Sequence, residues 1–372
     1  MSLPTTQTAI VQTTSDSSSA HLPLTVRQSV PVPKPPTEHH AVVQVFAVAL
    51  NPNDHKMVKH FNIPGGLAGC DFSGIIAAEA AESSAAARFP VGTRVCGALF
   101  PYIPDSPYNG SFSQFCVVDS RLLVKVPESW SDLEAASLGV GWSTISLALS
   151  DPNALGLDGL PTKPIHQAKE PILVYGGATA SGTFACQMLK LMGYTPIAIA
   201  SNKSAELAIE YGATGTASYT AKDCIDTVKA LAGKPIRRAL DCITDMESAA
   251  LCYSALARTG GMYACLEDCP QAWRTRRTVK VKEVMGFQVL GVDLNLAGST
   301  YKRPGDKALF DIGVQWAAEM ESLMESRTIK PHPLRELTNG FESIIDGLEM
   351  LAKGEVRGQK LVIKIPQASA QP

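Results

Sequence analysis

Across the middle of the chain, short apolar runs alternate with segments whose apolar residues recur at helical spacing. Residues 171–175 (PILVY) are continuously apolar and read as a buried parallel strand, while Phe184, Ala185, Met188, Leu189 and Met192 mark one face of a helix. The same rhythm predicts strands at 195–200, 238–243 and 261–266, and a last strand at 287–292. It predicts helices at 207–211, 224–232 and 248–256. Strands separated by helices imply an α/β unit with a doubly wound parallel sheet, running from about residue 166 to about residue 300.

The flanks follow a different pattern. Residues 41–50 read as a strand, and short apolar runs recur around 74–76, 93–97 and 115–118, separated by glycines and prolines. This predicts a compact, mostly β domain. The tail, 359–365, reads as one more strand and needs a partner. The simplest arrangement returns it to the N-terminal sheet, which makes the α/β unit an insertion and places a ligand cleft between the two domains. The expected boundaries are 1–165 and 301–372 for the β-rich domain and 166–300 for the nucleotide domain, with the Gly- and Pro-rich segment 152–169 as a boundary loop.

The turn between the strand at 171–175 and the following helix carries the chemistry. Gly176, Gly177, Ala178, Thr179, Ala180 and Ser181 sit where a backbone can approach a pyrophosphate and a helix N-terminus can face its charge. A tight turn that binds nothing is the bland alternative, and the strand–helix alternation around it favours a dinucleotide. The next strand ends at Ser201, Asn202, Lys203 and Ser204. An NAD site usually places an acid about 20 residues after the glycines, but none occurs before Glu206. Small polar residues and a lysine suit a 2′-phosphate, so the cofactor expected is NADPH.

Composition narrows the class. With 372 residues, 45% of them hydrophobic, the chain can fill two cores. A net charge of −2 gives no general electrostatic reason to bind nucleic acid. No run is long and apolar enough for a membrane span. Residues 1–19 do not read as a secretory signal, and Ala370-Gln371-Pro372 is not a peroxisomal tripeptide. Nine scattered cysteines read as reduced, mostly buried thiols, which with the foregoing suggests a cytoplasmic protein.

Further motifs identify a family. Gly69-Cys70-Asp71-Phe72-Ser73-Gly74, Val91-Gly92-Thr93-Arg94-Val95, Gly110-Ser111-Phe112-Ser113-Gln114-Phe115, Glu134-Ala135-Ala136-Ser137-Leu138 and the end from Gly354 to Val362 resemble the medium-chain dehydrogenase/reductases over nearly the whole length. Asn51-Pro52-Asn53-Asp54-His55-Lys56-Met57, the Tyr175–Ala180 turn, Leu240-Asp241-Cys242-Ile243-Thr244 and His332-Pro333-Leu334 resemble more closely the fungal trans-acting enoyl reductases of polyketide biosynthesis, of the lovastatin type. The resemblance implies a Rossmann domain inserted into a GroES-like catalytic domain. It also implies hydride transfer from NADPH to the β-carbon of an α,β-unsaturated thioester carried by a polyketide synthase or a PKS-NRPS megasynthase. The type it resembles is monomeric. Zinc-dependent members place a histidine where Cys70 and Asp71 stand, and no Cys-x-x-Cys pair occurs here, so no metal is expected. Asp71 reads as a carboxylate that holds backbone N–H groups.

By the same resemblance, Lys56 is the candidate for stabilising the developing enolate or helping the proton arrive. A surface lysine is its bland alternative. Asn51, Pro52, Asn53, Asp54, Thr144, Leu266, Val356 and Arg357 are expected near the cofactor, and Ser201, Ser204 and Tyr219 around the 2′-phosphate. The helix opening with Gly139, Val140, Gly141, Trp142 and Ser143, and the segment Val281, Lys282, Glu283, Val284 and Met285, are expected to line the substrate, although a buried Trp is usually core. An NADPH-dependent quinone or alkenal reductase of the same superfamily is the rival enzyme. A non-enzymatic NADPH-binding protein is the reading from another class.

Overall fold

The computed structural model describes residues 3–14, 21–61, 63–101, 108–166, 169–294 and 302–367. The tail tripeptide 370–372 and residue 300, the expected end of the nucleotide domain, lie outside these. The chain divides into two compact units, residues 1–140 with 290–372, and residues 141–289.

In the first unit the strand His40–Ala49 is the centre of an antiparallel sheet. It pairs with Asp71–Ala78, with Phe115–Asp119 and with the tail strand Lys360–Lys364. Arg94–Ala98 and Val124–Lys125 extend one side, and Leu334–Leu337 runs parallel to the tail strand on the other. The near-continuous burial of His40–Ala49 follows from its central place: its apolar residues are covered on both faces. The tail does return to the N-terminal sheet, with Val362 opposite Ala49. The sequence pattern does not predict the antiparallel pair Thr6–Gln12 and Leu24–Pro31, nor the helices Lys307–Glu325 and Gly340–Ala352.

Among the described residues, the second unit holds a six-stranded parallel sheet. The spatial order is Gly215–Ser218, Thr195–Ala200, Pro171–Tyr175, Arg238–Asp241, Gly261–Cys265, Val279–Glu283. Chain order reverses between Pro171–Tyr175 and Arg238–Asp241. Ligands bind beyond the strand ends at such a switch point.

Two expectations change. Residues 287–292 are not a strand: Gly286–Leu290 is a short 3-10 helix that buries Phe287, Gln288 and Val289. The sixth strand is Val279–Glu283, whose lysines hide it from an apolar-run reading and which can carry charge because it lies at the sheet edge. The divisions also fall at 140/141 and 289/290 rather than 165/166 and 300/301. Residues 141–165 are tied to the parallel sheet: Arg238 Nε donates to the Leu155 carbonyl at 2.7 Å, and Lys282 pairs with Asp151 at 3.3 Å. No described helix is long and apolar enough to cross a membrane.

Candidate active site

In the parallel unit the glycine turn has the geometry its residues predict. Gly176 has φ +73°, where a side chain is strained. A Cβ on Gly182 would sit 2.2 Å from the Gly176 carbonyl, so only glycine lets the helix start pack on the turn. The helix Ala180–Leu191 is capped by Thr179, whose Oγ1 accepts from Gly182 N at 3.0 Å. The N–H groups of Ala180 and Ser181, in the first turn, have no intrahelical acceptor and suit a phosphate.

The neighbouring strand ends carry the residues expected around the 2′-phosphate. Ala200 pairs with Ser218, so Ser201 and Tyr219 leave the sheet side by side. Ser201 Oγ donates to Ser204 Oγ at 2.9 Å, Lys203 is exposed, and Asn202 lies between them in a 3-10 turn. Tyr219 is exposed, with its ring centroid 6.4 Å from that of Tyr175. The segment 240–244, which the sequence offered only as a family motif, turns sharply beyond Arg238–Asp241. Thr244 holds φ +61°, a left-handed conformation costly for a β-branched residue. It is held there by Asp241, whose Oδ1 accepts from the N–H groups of Ile243 and Thr244, both at 2.9 Å. Thr244 Oγ1 in turn accepts from Leu266 N at 3.1 Å. The positive φ has no signature in a Thr, so only structure reveals it.

On the helix Gly139–Ser150, Thr144 packs against Gly286, where a Cβ would come within 2.4 Å of its Oγ1. Trp142 and Ser143 are buried, Trp142 to 1% exposure, which puts its ring in the core. Val281, Lys282 and Glu283 belong to the edge strand; Glu283 pairs with Arg274 at 3.0 Å, Val284 is buried and Met285 half-buried.

The β-rich unit carries the other candidates. Asn51 caps the helix Pro52–His60, and its backbone N–H donates to Asp54 Oδ2 at 2.8 Å in a capping box. Lys56 lies half-buried on this helix beside His55. Burial first, then the charges of Lys56 and Lys59, lowers the His55 imidazole to about 4, so it is neutral at pH 7. Burial pushes Asp54 up to about 7, and the Cys70 thiol, facing Asp54, well above its ordinary value. Asn53 Nδ2 reaches Cys70 Sγ at 3.9 Å. Asp71 holds a backbone N–H, as expected: Oδ1 accepts from Val140 N at 2.5 Å. Its second oxygen has a partner the sequence did not suggest. Lys360, at the start of the tail strand, places Nζ 2.8 Å from Asp71 Oδ2, with the two side chains 5% and 0% exposed. Val356 is half-buried and Arg357 exposed in the segment before that strand.

This donor set does not fit zinc. The Asp71 oxygen that could ligate is taken by an ammonium. Among the described residues no three His, Cys, Asp or Glu side chains converge for a metal.

Residues 37–128 match the alcohol dehydrogenase GroES-like domain, and residues 180–265 match the zinc-binding dehydrogenase domain. The fold is shared with an alcohol dehydrogenase superfamily protein from Novosphingobium aromaticivorans (TM-score 0.73, 21% identity, 97% of this chain and 100% of that one). It is shared equally with the CurK enoyl reductase (TM-score 0.69, 18% identity, 97% and 99%). Fold and domain matches together define a medium-chain dehydrogenase/reductase, a class of oxidoreductases that use a nicotinamide cofactor. The chain is 71% identical to the trans-enoyl reductase calK of Penicillium decumbens over 366 residues, covering 97% of this chain and 98% of that one. It is 50% identical to the trans-enoyl reductase sthE of Phaeosphaeria nodorum over 361 residues, covering 96% and 97%. The chain belongs to the trans-enoyl reductase family.

Proposed function

We propose that the protein is an NADPH-dependent trans-acting enoyl reductase. In this reading it reduces the α,β-unsaturated thioester of a polyketide chain carried by a partner polyketide synthase or PKS-NRPS. The full-length match to trans-enoyl reductases is the observation that carries it. NADPH, when bound, supplies the hydride. The residues of this chain bind and orient it: the Gly176 turn and the start of the helix Ala180–Leu191 take the pyrophosphate, and Ser201, Lys203, Ser204 and Tyr219 take the 2′-phosphate. Hydride arrival at the β-carbon moves negative charge to the thioester oxygen, and a proton from solvent then adds at the α-carbon to give the saturated thioester. Lys56 is the donor proposed for that oxygen, its ammonium opposing charge that exists only as the reaction proceeds. Conjugate reduction needs no Lewis acid, in keeping with a donor set unsuited to zinc. Against the quinone-reductase reading, a crotonyl thioester should be turned over faster than a simple quinone; the reverse order would overturn the assignment.

The serine- and lysine-bearing end of Thr195–Ala200, with no acid before Glu206, supports NADPH over NADH. NADPH should bind at least tenfold tighter, about 1.4 kcal/mol or more. Equal affinities in a fluorescence titration would remove that preference.

The protein is proposed to act as a monomer. The edge strand Val279–Glu283 carries Lys280, Lys282 and Glu283, and charged side chains on an edge oppose pairing with a second copy. Light scattering should report about the chain mass of 39.5 kDa at low micromolar concentration; twice that mass would overturn the proposal.

A further inference from the structure

We propose that Lys360 is a positioning residue for the reaction: its buried ammonium fixes the starts of two helices, one carrying Lys56 and one carrying Thr144. Three side chains close a triangle. Lys360 Nζ donates to Asn51 Oδ1 at 2.6 Å and lies 2.8 Å from Asp71 Oδ2, and Asn51 Nδ2 donates to the same Asp71 oxygen at 2.9 Å. Each corner away from the lysine ends on a helix start. Asn51 is the cap of Pro52–His60. Asp71 takes the Val140 N–H at the start of Gly139–Ser150.

Backbone on two sides fixes the arrangement. A Cβ on Gly139 would lie 2.6 Å from Asp71 Oδ1, so the carboxylate reaches the start of that helix only because residue 139 is glycine. Lys360 belongs to the strand that pairs with His40–Ala49, and the Leu50 N–H donates to the Leu361 carbonyl at 2.9 Å. The lysine's backbone is therefore held beside Asn51 by the sheet itself. Apolar residues of similar volume often stabilise a core as well as a buried ion pair does. What an apolar residue cannot do is hold an amide oxygen and a carboxylate at fixed distances. The triangle supplies geometry at two helix starts that the proposed chemistry uses.

The inference rests in part on the reading of Lys56, and three variants separate the possibilities. Lys360→Met should lower kcat at least tenfold with a crotonyl thioester at saturating NADPH, and should lower the melting temperature, because Asp71 is left without its counter-charge. The double variant Lys360→Met/Asp71→Leu removes both charges and leaves no side-chain oxygen at residue 71 to accept from Asn51 or Val140. It should regain most of the melting temperature, yet keep kcat at least fivefold below wild type, because Asn51 Oδ1 loses the ammonium and the Val140 N–H loses the carboxylate that fixed them. Recovery of kcat to within twofold of wild type in the double variant would overturn the proposal and leave Lys360 a mere counter-ion. The double variant keeps the test informative if Lys360→Met does not fold. Lys56→Ala, assayed alongside, tells the two ideas apart. An unchanged Lys56→Ala enzyme with an impaired double variant overturns the Lys56 assignment and supports a positioning role of Lys360 that does not act through Lys56.

Discussion

Replacing Lys56 by alanine should lower kcat by roughly 10- to 1000-fold, the range expected for loss of one donor to a developing oxyanion. NADPH affinity should change little, because the candidate phosphate contacts, the Gly176 turn and Ser201–Ser204, lie in the parallel unit and Lys56 in the β-rich one. Lys56 lies half-buried on the helix Pro52–His60. Its neighbour His55 is neutral at pH 7, so the charge at this turn of the helix comes from lysine. Rate and affinity both within about twofold of wild type would mark Lys56 as a surface lysine. A raised KM for a carrier-like thioester at constant kcat would instead assign it to holding the substrate arm.

Replacing Asp71 by alanine should be the most destabilising single change near the site, at about 3–5 kcal/mol, because it strands the buried ammonium of Lys360. It also removes the acceptors for Asn51 Nδ2 and the Val140 N–H. An exposed pair provides the contrast: Lys307 and Asp311 lie 2.6 Å apart but are 83% and 56% exposed, and Lys307→Ala should cost no more than about 0.5 kcal/mol. Burial, not distance, separates the two cases. Urea unfolding monitored on the β-rich unit measures both. A cost below about 1 kcal/mol for Asp71→Ala would mean that the ammonium finds other compensation.

Much of this was legible in the chain. The strands at 171–175 and 195–200 and the helix 224–232 stand where apolar spacing places them, because these elements are covered by neighbours and their residues are selected for burial. The edge strand Val279–Glu283 was not legible, since an edge has one neighbour and admits lysines that break the apolar signal. Residues 287–292 misled in the opposite way: Phe287 and Val289 are buried, but from a 3-10 turn. The glycine turn and the missing acid after it could be read as chemistry because both are local. Lys360 could not, because Asn51, its hydrogen-bond partner, lies 309 residues away. A signal existed. Asp71 opens an apolar strand and needs a cation, and a tail strand returning to 41–50 brings its first lysine to that place. Only the register, Val362 opposite Ala49, turns that possibility into a contact.

Hydride delivery to the β-carbon of an unsaturated thioester is the defining step of the proposed reaction. The most direct test is a reaction of the purified protein with NADPH deuterated on the transferred position of the nicotinamide and a crotonyl thioester, with the product analysed by mass spectrometry and NMR. The predicted result is a saturated butyryl thioester carrying one deuterium at the β-carbon. Unconsumed thioester, or deuterium at the carbonyl carbon of an aldehyde or alcohol product, would contradict it.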